Sequence, residues 1–198
     1  MRIVAICGSL RKQSCNMGML RHCKDILKTK GVSLDIVPAE LIGSLPLLNT
    51  DAEDELMKQA GSPVDRYHKT LAKADAFLFA TCEYNGSISS ALKNAVDWGS
   101  RCKTGNLWDN KPVGIIGAGG YAGTTRAQNH LRDICHNVNL KNMNGAFGSG
   151  LEIRVQIFQD KPVPFDEATG DVKSEFWKKE LDKSMSGLVD WTNRIAPK

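Results

Sequence analysis

The sequence predicts an α/β chain in which an open parallel sheet is covered by helices on both faces, and three observations carry that prediction. Short runs of β-favouring residues alternate with helix-length segments along the chain. The central runs are apolar without interruption, as strands buried on both faces require. The polar and glycine-rich turns gather after these runs, where an open parallel sheet places its ligands.

The expected strands are Ile3 to Cys7, Val32 to Val37, Ala76 to Thr81, Val113 to Ile116 and Ala146 to Gly148. Between them, helices are expected over Asn16 to Lys30, Val64 to Lys73, Ser87 to Ser100 and Thr124 to Asn137. The last of these carries apolar spacing at Leu131, Ile134, Cys135 and Val138. The crossover helices make the strands parallel. A final helix is expected over Ser174 to Ile195, with Phe176, Leu181, Met185, Leu188 and Trp191 as its buried stripe. Two connections, Pro38 to Ser62 and Gly148 to Gly170, are long, and loops of that length are often functional. No repeat or linker divides the chain, so residues 1–198 are expected to form a single domain.

Composition narrows the function. With 26 Lys and Arg against 22 Asp and Glu, the excess charge of +4 is too small and too dispersed for a dedicated nucleic-acid binder. The longest apolar stretches, such as Ala76 to Ala80, fall far short of the roughly 18 residues of a membrane span. Six cysteines (Cys7, Cys15, Cys23, Cys82, Cys102 and Cys135) lack any C-x-x-C pair, which points to free thiols. With no secretory signal pattern after Met1, a reducing cytoplasm is the expected compartment. His22, His68, His130 and His136 are too scattered for a metal site or a catalytic triad.

Three turns carry the candidate chemistry. After the first strand, Gly8 to Asn16 offers Ser9, Arg11, Ser14 and Asn16 at the start of a helix. Hydroxyls, a guanidinium and helix N–H groups suit a dianionic monophosphate. Taken alone, the same segment equally fits a helix N-cap at Ser14 or Asn16 with a solvated Arg11. After the fourth strand, Gly117-Ala118-Gly119-Gly120-Tyr121-Ala122 satisfies G-x-G-x-x-G/A. The carboxylate that a dinucleotide site needs about 20 residues later is missing from Asn137 to Asn142. The glycines therefore read either as close approach to a flat ring, with Tyr121 at its edge, or as a turn required by packing.

The third turn, after the third strand, runs Cys82-Glu83-Tyr84-Asn85-Gly86-Ser87 and continues through Leu92-Lys93-Asn94-Ala95-Val96-Asp97-Trp98. It resembles the E-Y-N-x-S…L-K-N-A-x-D-W signature of the NADPH-dependent FMN reductase family, flavodoxin-like enzymes that include quinone, azo-dye and chromate reductases. The first loop resembles that family's G-S-x-R-x-x-S-x-N motif at every fixed position. Leu45-Pro46-Leu47, Arg126-Ala127-Gln128, His130-Leu131-Arg132, Phe165 and Thr169-Gly170-Asp171-Val172 extend the likeness over nearly the whole chain. Two residues depart from the pattern: Cys82 stands at a usual proline, and Gly119 where many relatives have serine.

The resemblance implies a flavodoxin-like fold with a five-stranded sheet and FMN at its carboxyl edge. The phosphate would lie on Ser9, Arg11, Ser14 and Asn16. Glu83, Tyr84, Asn85, Gly86 and Ser87 would follow the ring edge, with Gly117, Gly119, Gly120 and Tyr121 on the other side. Lys93, Asn94 and Asp97 are expected to fix a loop and Cys82 to pack inertly. The implied activity is transfer of a hydride from NADPH or NADH through FMN to a small acceptor such as a quinone, an azo compound, chromate or free flavin. It needs no catalytic acid or base from the protein. A homodimer or homotetramer is implied, with Trp98, Trp108 and Tyr121 as candidate contacts. The alternative is a flavodoxin-like electron carrier serving protein partners, although the basic charge is opposite to the acidic balance usual in such carriers.

Overall fold

Strand β1 (Arg2–Cys7) shows how the sequence builds the sheet. Its side chains alternate between two cores, with Val4 and Ile6 in one and Ile3, Ala5 and Cys7 in the other. The same division holds in β3 (Ala76–Thr81): Phe77 and Phe79 face one way, and Ala76, Leu78 and Ala80 the other. A strand with a core on each side is apolar at every position, which is why β1 and β3 show no alternation in the sequence. The computed structural model describes residues 1–143 and 152–195.

The remaining elements are α1 (Cys15–Thr29), β2 (Ser33–Ile36), α2 (Ala39–Gly43), α3 (Glu53–Lys58), α4 (Pro63–Leu71), α5 (Ser90–Gly99), β4 (Pro112–Gly119), α6 (Thr125–Asn137), β5 (Lys141–Asn142), β6 (Ile153–Gln156) and α7 (Glu175–Ile195). All strand pairs are parallel, in the order β2-β1-β3-β4-β5. Helices cover both faces, α1 and α7 against one core and α4, α5 and α6 against the other. This is the flavodoxin-like order. The strand order reverses between β1 and β3, so the connections after those strands run to opposite faces and leave a crevice at the carboxyl edge.

The fifth strand position differs from the expectation. The predicted strand Ala146 to Gly148 lies outside the described residues. Within them, β5 pairs with Pro112 and Val113, and β6 pairs with Ile116 to Gly119. Because β3 occupies the other edge of β4, the two short strands share one edge and make six strands among the described residues. β6 is only four residues long and falls inside the expected long connection. The Pro38 to Ser62 connection likewise contains α2 and α3.

Two further expectations are corrected. The helix expected from Ser87 begins at Ser90, because Tyr84 and Ser87 first close a two-residue hairpin. Phe176 is 62% exposed rather than part of the buried stripe. It precedes Leu181 by five residues, about 140° round the helix from the line of Leu181, Met185 and Leu188. Trp98 and Trp108 are fully buried, so neither is a partner contact. Trp108 packs edge-on against Phe77 at 4.6 Å, and its indole donates to the Val96 carbonyl.

Candidate functional site

The first loop is fastened before it reaches the site. Gly8 donates its N–H to the Ala80 carbonyl, and its own carbonyl accepts from Ser89 Oγ at 2.5 Å and from the Cys82 thiol at 3.4 Å. Both β1 and β3 thus hold the turn. Ser14 is the N-cap of α1, its Oγ accepting from Met17 N, so the capping alternative is correct for this side chain. The same Oγ also lies 3.9 Å from the Cys7 sulfur, so the hydroxyl has a neighbour inside the turn. Ser9 is buried as well: its Oγ accepts from Arg11 N, and its side chain bonds the Tyr84 phenol. At the helix start, the N–H groups of Cys15 and Asn16 have no carbonyl four residues back to bond.

Arg11 is exposed and pairs with no carboxylate among the described residues. Its charge is felt at Cys15, Cys82 and Tyr84, where it favours the ionised forms and so marks the mouth of the crevice. Asn16 is different. Its amide nitrogen donates to the Ala118 carbonyl and its amide oxygen accepts from Ala118 N, both at 2.9 Å. The side chain expected to meet a phosphate is committed to the backbone of β4, and only its N–H faces the anion position at the helix start.

The second loop turns on Asn85 and Gly86, which have φ of +52° and +79°. Those angles define a type I′ turn, for which Asn-Gly is the favoured pair. Tyr84 and Ser87 exchange two backbone hydrogen bonds across it, and the N–H groups of Asn85 and Gly86 have no partner among the described residues. Glu83 stands on the cavity wall with its carboxylate engaged: Oε2 accepts from Ala127 N in the first turn of α6. Cys82 is buried, and burial raises its thiol pKa. Burial also pushes the Cys7 thiol up to about 11. Both thiols are buried in the turn, Cys82 donating to the Gly8 carbonyl and Cys7 lying 3.9 Å from Ser14 Oγ.

In the third loop the glycines divide. Gly117 lies inside β4 and is buried, and a side chain there would overlap Thr124 Oγ1. It is a packing glycine, apart from the crevice. Gly119 and Gly120 lie on the crevice wall. Beyond them, β6 is prolonged by a hydrogen bond from Ile157 N to the Gly119 carbonyl, which brings Phe158 beside Gly120. Phe158 and Tyr121 form an edge-to-face pair at 5.3 Å, both largely exposed.

The three loops enclose a cavity of about 360 Å³. Of the expected residues, Ser9, Arg11, Ser14, Asn16, Glu83, Tyr84, Gly119 and Gly120 line it. Asn85, Gly86, Ser87, Gly117 and Tyr121 do not. Cys15, Cys82, Ala118, Ile157 and Phe158 complete the lining. Ile157 and Phe158 escaped the sequence reading because β6 was hidden in a long connection, although its alternating Ile153, Val155 and Ile157 were a usable signal. Asn94 fixes a loop as expected, bonding Leu48 N and the carbonyls of Leu45 and Pro46, and Lys93 pairs with Asp97. Among the described residues no cluster of His, Cys, Asp or Glu could hold a metal ion. Larger concavities lie away from the crevice; the one lined by Met1, Asp75 and Lys111 is at the amino end of the sheet.

The cavity fits FMN on its donor set. Ser9, Ser14, Arg11 and the amino end of α1 all line it, the kind of donors that a phosphate dianion requires.

Comparison with known proteins follows the same line. The family model described as NADPH-dependent FMN reductase matches residues 1–152. The chain is 38% identical to an NADPH:quinone oxidoreductase of Arabidopsis thaliana over 100% of its own length and 94% of that protein's. It is 32% identical to a 2-hydroxy-1,4-benzoquinone reductase of a Burkholderia species, over 96% of each chain. Among solved structures, the flavoenzyme NAD(P)H:(acceptor) oxidoreductase FerB from Paracoccus denitrificans superposes with a TM-score of 0.79 at 28% identity, covering 98% of this chain and 97% of that one. A flavodoxin from Pseudomonas aeruginosa, at 14% identity and a TM-score of 0.52 over 94% of this chain and 99% of that one, shares the fold alone.

Proposed function

The chain belongs to the NADPH-dependent FMN reductase family, and from that premise we propose that the cavity between the three loops is where it holds FMN and alternates two substrates. It is an FMN-dependent NAD(P)H oxidoreductase. The reading of the site rests above all on Arg11, a guanidinium without a carboxylate partner among the described residues, which lines the cavity together with two buried serines at the start of α1.

In this reading Ser9, Arg11, Ser14 and the N–H groups of Cys15 and Asn16 hold the phosphate. Asn16 holds Ala118, and through it the Gly119 and Gly120 wall, at a fixed distance from α1. When bound, FMN supplies the redox chemistry, taking a hydride from the nicotinamide and giving two electrons to the acceptor. The chain's own part is to bind and to orient. The Asn85 and Gly86 hairpin lies outside the cavity lining and positions Tyr84, which is on its wall. Glu83 spends its carboxylate on α6 and so keeps that charge away from the ring. The exposed Tyr84 and Tyr121 flank an open mouth through which flat substrates enter in turn.

The names of the relatives support a quinone as acceptor, and one of them free flavin; an azo compound or chromate belongs to the same proposal as a similar electrophile. They also favour an enzyme over an electron carrier, since the flavodoxin likeness extends only to the fold. Part of the same proposal is a single domain over residues 1–198, working in the cytoplasm as a homodimer or homotetramer. No helix among the described residues is long and apolar enough to cross a membrane. The test is an absorbance scan of the purified protein followed by NADPH and NADH oxidation with and without a benzoquinone. A flavin spectrum and parallel-line ping-pong kinetics are expected. A protein that neither takes up FMN nor oxidises either nucleotide would defeat the proposal.

A further inference from the structure

A cavity of about 360 Å³ is at the small end of the range for ligand sites, room for one mononucleotide rather than for FMN with a dinucleotide beside it. A dinucleotide that presents its nicotinamide there must place its other half elsewhere. A second hollow of the same volume adjoins the first. The two share Arg11, Cys15, Ile157 and Phe158, so they are compartments of one groove.

We propose that this second hollow is the subsite for the adenosine-phosphate half of the nicotinamide dinucleotide, with Phe158 stacking on the adenine and Lys161 binding a phosphate. The proposal rests on the oxidoreductase reading above and adds the donor's second contact area to it.

The floor is built from Ile157 and the buried Phe165, and the rim carries Phe158, Val163 and Lys161. Phe158 is 59% exposed, and among the described residues its ring pairs edge-on with Tyr121, so much of the ring remains available to a base. Exposing so large a side chain costs hydration unless a ligand covers it. Lys161 is exposed and pairs with no carboxylate among the described residues. Of the two acidic residues on the wall, Asp166 is already engaged: its carboxylate accepts N–H bonds from Ala168 and Thr169 and pairs with Lys173. Glu167 is left to face the ribose hydroxyls.

The hollow is also firmly mounted. Arg21 on α1 donates to the Asp171 carboxylate and to the Thr169 carbonyl, and the backbone of Gly170 lies directly against Gly18 of α1, where no side chain would fit. The segment that forms the second hollow is thereby strapped to the helix whose amino end serves the first. This gives the long connection after β5 a binding role.

The test uses the FMN-loaded protein and two probes, adenosine 2′,5′-bisphosphate and adenosine 5′-diphosphate, titrated by calorimetry, with KM measured for NADPH and NADH. Both substitutions are on exposed side chains and leave the core intact. Phe158→Ala is expected to weaken probe binding and raise the dinucleotide KM by about fivefold or more, the scale of a lost base–aromatic stack, with both values taken per bound FMN because Phe158 also lines the first cavity. Lys161→Ala, which lies outside that cavity, is expected to do the same for the probes without changing FMN content or kcat. A loss confined to NADPH and the bisphosphate assigns Lys161 to the 2′-phosphate, and an equal loss for both pairs assigns it to the pyrophosphate. Unchanged probe affinity and KM in both variants, with normal FMN content, would overturn the subsite while leaving the oxidoreductase reading intact. A wild-type protein that fails to retain FMN would instead strike at that reading itself.

Discussion

The side-chain amide of Asn16 forms a closed pair of hydrogen bonds with the backbone of Ala118, one donated and one accepted, both 2.9 Å long and both buried. These residues are 102 positions apart, and the pair ties the first turn of α1 to the end of β4. Two of the three loops of the candidate site are therefore set relative to one another by one side chain.

Replacing that amide separates anchoring from direct ligation. Asn16→Ala leaves a buried N–H and a buried C=O without partners, and should cost about 1–3 kcal/mol in chemical denaturation. FMN affinity should fall with it as the glycine wall loosens. Asn16→Asp can still accept from Ala118 N but cannot donate, and it brings a negative charge to the helix start. Fluorescence titration should show weaker FMN binding for Asn16→Asp than for Asn16→Ala. The opposite order would mean that the amide matters only for stability.

The strap between α1 and the Asp166 to Val172 segment should be sensitive to acid. A side-chain hydrogen bond from Arg21 holds the Asp171 carboxyl below the ordinary carboxylate range. A depressed folded-state pKa contributes stability above the unfolded value, and that contribution disappears as pH falls through the folded one. Both side chains are partly exposed, so the effect is small. Thermal melts from pH 6 down to about pH 3, spanning the ordinary Asp value near 3.9, should show Asp171→Asn losing less midpoint over that interval than wild type. Parallel slopes would show that the pair has no energetic role.

The buried thiols should be slow to react. Burial raises the pKa of Cys7 and Cys82, and drives those of Cys23 and Cys135 up further. Native protein treated with iodoacetamide at pH 8 should therefore show these four positions largely unmodified by peptide mass mapping, whereas urea-unfolded protein reacts at all of them. Rapid native labelling at Cys82 would establish a reactive sulfur at the cavity wall.

Much of this arrangement was legible from residue order alone. β1 and β3 announce themselves because a strand with a core on each face is apolar throughout, and Ser14 after Cys7 was one of two cap candidates for the helix that follows. What escaped was decided by tertiary partners. Nothing local says that the amide of Asn16 will find Ala118, that Glu83 will reach Ala127, or that Gly117 must stay small because Thr124 fills its place. β6 was missed for a related reason: four residues suffice once the edge of β4 is waiting for them. The hairpin at Asn85-Gly86 was within reach, since that dipeptide is itself a turn signal, but the apolar helix spacing beyond it drew the expected helix three residues too far.

The central claim is that a phosphate dianion is held by Arg11, Ser9, Ser14 and the amino end of α1. The most direct measurement is the affinity of the flavin-free protein for FMN against riboflavin, which carries the same ring without the phosphate, in wild type and in Arg11→Ala. Wild type should bind FMN at least about 100-fold more tightly than riboflavin, as two or more charge-assisted hydrogen bonds imply. Arg11→Ala should lose most of that preference while keeping its riboflavin affinity. Equal affinity for the two flavins in wild type, or an undiminished preference in Arg11→Ala, would contradict the account.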